Sequence, residues 1–469
     1  VVVVGAPVAY CALMSRTERA PEVLAPAGDE ACLKAAVQAG ADAVYLGLTG
    51  FNARARAANF DGDALARSME LLHRHGVKGY VTLNTLVFDA EMAALEAAVR
   101  ACAGAGADAI IVQDLGVARL ARQVAPTLAI HASTQMTCTD AGSVELAREL
   151  GAARVILARE LSLEDIAKIR AESDVELEVF VHGALCVAYS GQCMSSEAIG
   201  GRSANRGACA QSCRLPYELL VDGERRPTDD RAFLLSPQDL EASELVPRLV
   251  ALGVSSLKIE GRLKGPEYVA ATTRLYRRAV DLAMEGRSAS LQREREQALQ
   301  MFTRGSGPGF LAGIDHQRLV EGRGCDHRGL LVGEVLGARS SRGRPCLLVR
   351  ASAPLRRGDG VLCEGGLGGA GEVGGRVWNI WINGQDVDAI EAGTEALVWL
   401  GPDRALPAIT PGRRFWKTGA PGVEAEVKSQ TERQPHRVRL DVTLEGEAGE
   451  APRLSGQSAR GARATVQLD

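Results

Sequence analysis

The sequence predicts an α/β protein, a closed (β/α)8 barrel of the TIM type carrying a cysteine-rich insert, followed by a small antiparallel β-barrel domain. Three observations predict it. From about Val23 to about Gly286, short apolar strands alternate with amphipathic helices, the pattern of a parallel sheet with helices outside. The alternation yields eight units in roughly 260 residues, the usual size of a closed barrel, and no glycine-rich phosphate loop follows the first strand as a doubly wound sheet would require. Beyond about residue 329 the pattern changes to short strands separated by glycine-rich turns.

Residues 1–20 are read as a mis-started or trimmed N-terminus. The opening run is apolar but has no basic leader and is too short to span a bilayer, so no membrane partner is expected. The barrel is expected over 21–286, with strand cores at 23–26, 43–46, 79–83, 109–112, 128–131, 154–157, 177–181 and 256–259. Between them Met92, Leu95, Val99 and Cys102 recur at helical spacing and give one apolar face. A weak internal echo marks the units: Gly40, Gly106, Gly151 and Gly253 each follow a helix and precede a strand, as C-capping glycines do.

In such a barrel the residues just after each strand surround the open, functional end. Those positions hold Asn52 and Arg54, Asn84, Gln113 and Asp114, His131, Ser133 and Gln135, Arg159 and Glu160, His182, and Lys258, Glu260 and Arg262. Any one of them is as readily a strand-end cap or a barrel salt bridge. As a group on one mouth, the polar and partly cationic set suits a small anionic ligand, for which Arg54, Asn84, Gln113, His131, Gln135, Arg159, His182, Lys258, Glu260 and Arg262 are the candidate contacts.

After the seventh strand the short loop is replaced by an insert over 183–255. It holds Cys186, Cys193, Cys209 and Cys213, spaced C-x6-C-x15-C-x3-C among Gly, Ser, Asn and Arg rather than in a core pattern. The remaining seven of the eleven cysteines lie singly in apolar stretches, and the odd total without a secretory framework fits a reducing cytoplasm. Four thiols this close in a polar segment call for a soft metal. Structural zinc usually shows C-x2-C knuckles, absent here, whereas iron–sulfur clusters accept more varied loops. An iron–sulfur cluster is therefore the leading reading, with zinc and unliganded thiols as alternatives. Arg202, Arg206 and Arg214 either neutralise such a cluster, grip a phosphate backbone, or form a solvated basic face.

Residues 287–328 are read as a charged helix from Gln292 to Phe302 and a connector around Gly305–Gly309. Residues 329–420 form the small β-barrel, and 421–469 begin an incomplete C-terminal β module. The formal net charge of −4 argues against coating nucleic acid by bulk electrostatics and leaves room for a local basic patch.

The segment from His182 through Cys186 to Ser195, then Asn205 through Cys209 to Arg214, resembles the signature of the collagenase-like peptidases, family U thirty-two. Leu24–Gly28, Asn84–Thr85, His131–Gln135 and Lys258–Arg262 match further blocks, so the resemblance covers the barrel nearly end to end. It implies a 4Fe-4S cluster on the four cysteines and, in the branch acting on large-subunit ribosomal RNA, hydroxylation of a pyrimidine C5 with prephenate as required co-substrate. The continuation through Gly309-Phe310-Leu311 and His327-Arg328-Gly329 looks most like that branch, with transfer RNA the second RNA partner. Prephenate is a dicarboxylate, which Arg54, Arg159, Lys258 or Arg262 would pair. The residues name no electron donor. Other readings are a collagenase-like peptidase, for which Cys186 and His182 would pair at i, i+4, an oxygen-independent quinone-ring hydroxylation factor, and a non-catalytic RNA-binding factor. The sequence contains neither H-E-x-x-H nor G-x-S-x-G.

Overall fold

Eight parallel strands close on themselves: β1 (Glu22–Pro26), β2 (Ala43–Gly47), β3 (Lys78–Leu83), β4 (Ala109–Val112), β5 (Ala129–Ala132), β6 (Ala152–Ile156), β7 (Glu176–Ala184) and β8 (Ser256–Ile259). Closure is made by β8, which pairs with β1 through Val23 and Leu257 and with β7 through Leu257 and Val179. The structure is a computed structural model that describes residues 20–54, 57–313, 315–402, 406, 409–432, 440–446, 451–458 and 463–467. The reading of the N-terminus, residues 1–19, lies outside them.

The chain's local chemistry explains the repeated turn from strand to helix and back. Asp29, Asp61, Asp114, Asp140 and Ser162 each cap the following helix by accepting a backbone N–H of its first turn. Gly40, Gly106, Gly151 and Gly253 end the helices at φ of +88°, +77°, +98° and +68°, a backbone region that favours glycine. Leu65, Met69 and Leu72 of helix Gly62–Arg74, and Leu95, Val99 and Cys102 of helix Met92–Gly104, are buried in the layer between helices and strands.

The insert leaves and returns on one strand. β7 continues to Ala184, and Asp239–Glu241 comes back antiparallel to its end, pairing with Ala184, Gly183 and His182. Ser306–Gly307 of the connector then adds in parallel to Asp239 and Leu240. Helix Pro266–Met284 follows β8 and packs against helices Glu30–Gln38 and Gln292–Met301.

Residues 330–419 form an eight-stranded antiparallel sheet curled around its own core of Val335, Leu347, Val349, Ile380, Val398 and Phe415. Its central strands are Leu330–Ser341, Arg344–Ala351 and Arg413–Gly419. Residues 421–432 are helical, with Val427 buried in the barrel's outer core, so the larger compact unit extends to Glu432. Of the strand pattern that the sequence offers at 438–442, residues 438 and 439 lie outside the described residues, and a strand is described from Leu440 to Glu445. Leu440–Glu445, Arg453–Ser458 and Arg463–Gln467 make an antiparallel meander in a separate unit, 433–469. Among the described residues no helix is long and apolar enough to cross a membrane.

Candidate active site

Glu260, in the loop after β8, organises the barrel mouth. Its Oε2 accepts from Arg54 Nη2 and from Arg159 Nη2, each at 3.0 Å, drawing together the loops after β2, β6 and β8. Burial opposes ionisation of Glu260, but the guanidiniums of Arg54, Arg159 and Arg262 overcome it and hold the carboxyl down at about 2. Arg159 is further fixed by donating to the Ala184 carbonyl at 2.6 Å and by lying 3.9 Å over the Phe180 ring. Arg262 donates to Thr82 Oγ1 at 2.8 Å and to Asn52 Oδ1 at 3.3 Å, and its burial pulls its pKa down to about 10.

Around this pair the mouth leaves hydrogen-bonding capacity unused. Gln113 Oε1, Gln135 Oε1, His131 Nδ1 and Arg262 Nε are buried without a protein partner. Such groups are costly to leave unmade, and Gln113, Gln135 and Arg262 at the strand ends mark where a polar ligand would satisfy them, whereas His131 lies deeper, its ring 4.7 Å from Tyr80 and level with Arg154. Burial, with Arg154 and Lys258 nearby, lowers the His131 pKa well below the ordinary value, so its imidazole is neutral at pH 7. Asn84 bridges two loops, accepting from Ala53 N at 3.0 Å and donating to Ser133 Oγ at 3.4 Å.

Two sequence-predicted residues stand apart. Lys258 Nζ donates to Glu178 Oε1 at 2.7 Å inside the barrel, and Glu178 meets Arg154, which also binds Glu22 at 2.6 Å and Glu176 at 2.7 Å. Lys258 is thus the upper member of a buried ion chain. His182 lies toward the helical layer, with Nδ1 3.3 Å from the Tyr276 hydroxyl and its ring against Tyr268 and Tyr276. Asp114 caps a helix, and Glu160 holds Ser190 of the insert through its N at 3.0 Å and Oγ at 2.8 Å. Tyr45 and Phe180, whose rings face the Lys258 ammonium at 4.4 and 5.6 Å, were not singled out by sequence reasoning. Strand alternation is the signal that could have found them.

The insert lies against the mouth. Thr137 donates to the Ser190 carbonyl at 2.6 Å, and Arg206 pairs with Glu91 at 2.7 Å and donates to the Leu86 carbonyl at 2.7 Å. Gly207 permits a close approach, since at its φ of +81° a Cβ would sit 2.3 Å from the Asn52 carbonyl oxygen. These contacts gather the cysteines. Cys213 lies within electrostatic reach of Cys186, Cys209 and Cys193. Cys186 faces water in a recess walled by protein; that enclosure raises its thiol pKa, and the nearby Arg159 and Arg54 oppose the rise. Arg214 lies beside Cys213 and is held by Ser236 Oγ at 2.7 Å and the Leu185 carbonyl at 3.2 Å. Arg202 is exposed.

Among the described residues no three His, Cys, Asp or Glu side chains are close enough to grip a single ion. A tetrahedral zinc would hold its thiolates about 3.8 Å apart. Cys186, Cys193, Cys209 and Cys213 act electrostatically on one another, with Arg54 and Arg159 near Cys186 and Arg214 near Cys213, and they are the residues that could hold a soft-metal group at the mouth.

A sequence model of peptidase family U32 matches residues 28–321. The "tRNA hydroxylation protein P1" of Bacillus subtilis is 40% identical over 266 residues, 56% of this chain and 63% of that protein. The "23S rRNA 5-hydroxycytidine C2501 synthase" of Escherichia coli is 38% identical over 355 residues, 72% of this chain and 52% of that protein. The "Collagenase" of Porphyromonas gingivalis is 34% identical over 333 residues, 67% of this chain and 79% of that protein. The chain spans 63% and 52% of the length of the first two.

Proposed function

This chain belongs to peptidase family U32, and from that premise and the mouth geometry we propose that it is an RNA-modifying enzyme. The reaction we assign is hydroxylation of a pyrimidine C5, with prephenate as co-substrate and a 4Fe-4S cluster held by Cys186, Cys193, Cys209 and Cys213. One observation carries the reading: Arg54 and Arg159, the two guanidiniums joined by Glu260, are also those acting on the Cys186 thiol. A cationic clamp and a four-thiol centre therefore share one opening, an arrangement that peptide hydrolysis does not need. Ribosomal RNA is favoured over transfer RNA because the match to the ribosomal-RNA synthase is 38% identical over 72% of the chain, against 33% over 68% for the E. coli transfer-RNA protein and 40% over only 56% for the B. subtilis one.

In this mechanism Arg54 and Arg159 bind carboxylates, and Glu260 keeps their forks splayed and ready before the ligand arrives. Arg262 Nε, Gln113 and Gln135 complete the hydrogen bonds of the ligand's hydroxyl and keto groups or of the base edge. Held by all four cysteines, an iron–sulfur cluster would have no open corner and would supply electron transfer at the mouth. The peptidase reading would need a base for Cys186, but the His182 ring packs against Tyr268 and Tyr276 in the helical layer.

The test incubates anaerobically purified protein with unmodified large-subunit ribosomal RNA and transfer RNA, with and without prephenate, and analyses the nucleosides by mass spectrometry. The expected product is a hydroxypyrimidine in ribosomal RNA that depends on prephenate. Cleavage of gelatin that survives metal removal, with RNA nucleosides unchanged, overturns the proposal.

A further inference from the structure

The curled sheet of residues 330–419 has a second apolar cluster on the face opposite its core. Leu347 and Val349 point inward, so strand alternation sends Arg344 and Cys346 outward. On the neighbouring strands Trp399 and Trp381 join Cys346 there, apart from the main core. Two guanidiniums cover the indoles, Arg344 at 4.2 Å over Trp399 and Arg342 at 5.9 Å over Trp381. Trp378 stands edge-on to Trp399 with centroids 5.7 Å apart, and it is 52% exposed. Its place depends on Gly401, where a Cβ would fall 2.8 Å from the Trp378 Nε1.

Three further features point to a ligand. Arg339, Arg342 and Arg344 are exposed, and none has a carboxylate partner among the described residues, whereas Arg350 on the same face is paired with Glu334 and Glu395. Arg342 occupies a left-handed turn position, φ +53°, usually left to Asn or Gly, and donates to the Gly384 carbonyl at 2.9 Å. The indole N–H groups of buried Trp381 and Trp399 have no acceptor. The acidic residues at the margin are engaged, Asp386 with Asn379 and Asp388 with Arg357.

We propose that this face binds an unpaired stretch of RNA, its phosphates on Arg339, Arg342 and Arg344 and a base stacked on Trp378. Stacking on an exposed aromatic beside unpaired arginines is how single strands are held without sequence readout. The partner class rests on the RNA-modifying reading above, but the surface is distinct from the barrel mouth.

The probes are fluorescein-labelled oligouridylate and a perfect RNA duplex of equal length, read by anisotropy and by quenching of tryptophan fluorescence. The single strand is expected to bind more tightly than the duplex and to quench. Trp378→Ala loses about ten-fold in affinity, and Trp378→Phe retains most of it. Replacing the three arginines by Ala makes the dependence of log K on log salt shallower by about 2. Arg350→Ala leaves binding unchanged. Unaltered affinity in the triple variant, an equal loss in Arg350→Ala, or equal displacement by polyglutamate and RNA overturns the proposal. Nucleoside hydroxylation is assayed in parallel: its absence with binding intact sinks the barrel reading alone, and its presence with binding unaltered in the variants sinks this surface alone.

Discussion

Replacing Glu260 by Gln tests the architecture of the mouth. The carboxyl is held at about 2 against an ordinary 4.5, and it is buried beneath two guanidiniums. At about 1.36 kcal/mol per pH unit, that difference corresponds to about 3 kcal/mol of folding stability. Because the folded-state value is depressed, the contribution is fully present above pH 4.5 and is lost as pH falls toward 2. The assay is urea denaturation of wild type and Glu260→Gln, anaerobically with reductant, between pH 7 and pH 3. The two stabilities should differ by about 3 kcal/mol at neutral pH and converge below pH 4.5. The variant also leaves Arg54 and Arg159 without their internal counter-ion. Added prephenate or malonate should therefore raise its Tm more than that of the wild type. A difference of less than about 1 kcal/mol, the worth of a surface pair, or one that does not change with pH, refutes the reasoning.

Three further outcomes are expected. Anaerobically purified protein should be brown, and Ser at position 186, 193, 209 or 213 should remove both the colour and the bound iron; a colourless wild type with stoichiometric zinc contradicts the cluster. Lys258→Met should cost about 3–5 kcal/mol in urea denaturation, since it strips the wholly buried Glu178 of its 2.7 Å partner, with much of the loss recovered by adding Glu178→Gln; a cost below about 1 kcal/mol speaks against a buried ion chain. Gly207→Ala should push the insert away from Asn52 and reduce iron content while far-ultraviolet circular dichroism stays unchanged, and full iron retention would show that this approach does not position the cysteines.

Much of the barrel was legible because its signals are local. Caps such as Asp61 and Asp140, the glycines at 40, 106, 151 and 253, and apolar strand cores are each decided within a few residues of chain. Strands made by distant pairing were not. Asp239–Glu241 carries two carboxylates and becomes a strand because β7 overruns the barrel to offer it an edge, and Ser306–Gly307 exists only by adding to Asp239 and Leu240. The mouth was legible as a set of positions but not as a division of labour. Position after a strand places Arg54, Arg159 and Glu260 at the mouth, yet Lys258 is still within β8 and is claimed by Glu178 of the adjacent strand β7. His182 pairs with Ile259 just past a register shift in the β7–β8 ladder, and its ring joins the helical layer.

The departure and return of the insert on β7 have a mechanical consequence. Gly183 and Leu240, paired across the same ladder, tie the two ends of the excursion together, so the span between them is a closed hoop hung on a finished ring. Closing a hoop costs entropy that grows only slowly with its length. The hoop can therefore lengthen, shorten or exchange its contents without asking the barrel to refold. In such a layout new chemistry at the mouth is acquired by rewriting a pendant, while the ring beneath it keeps its eight strands.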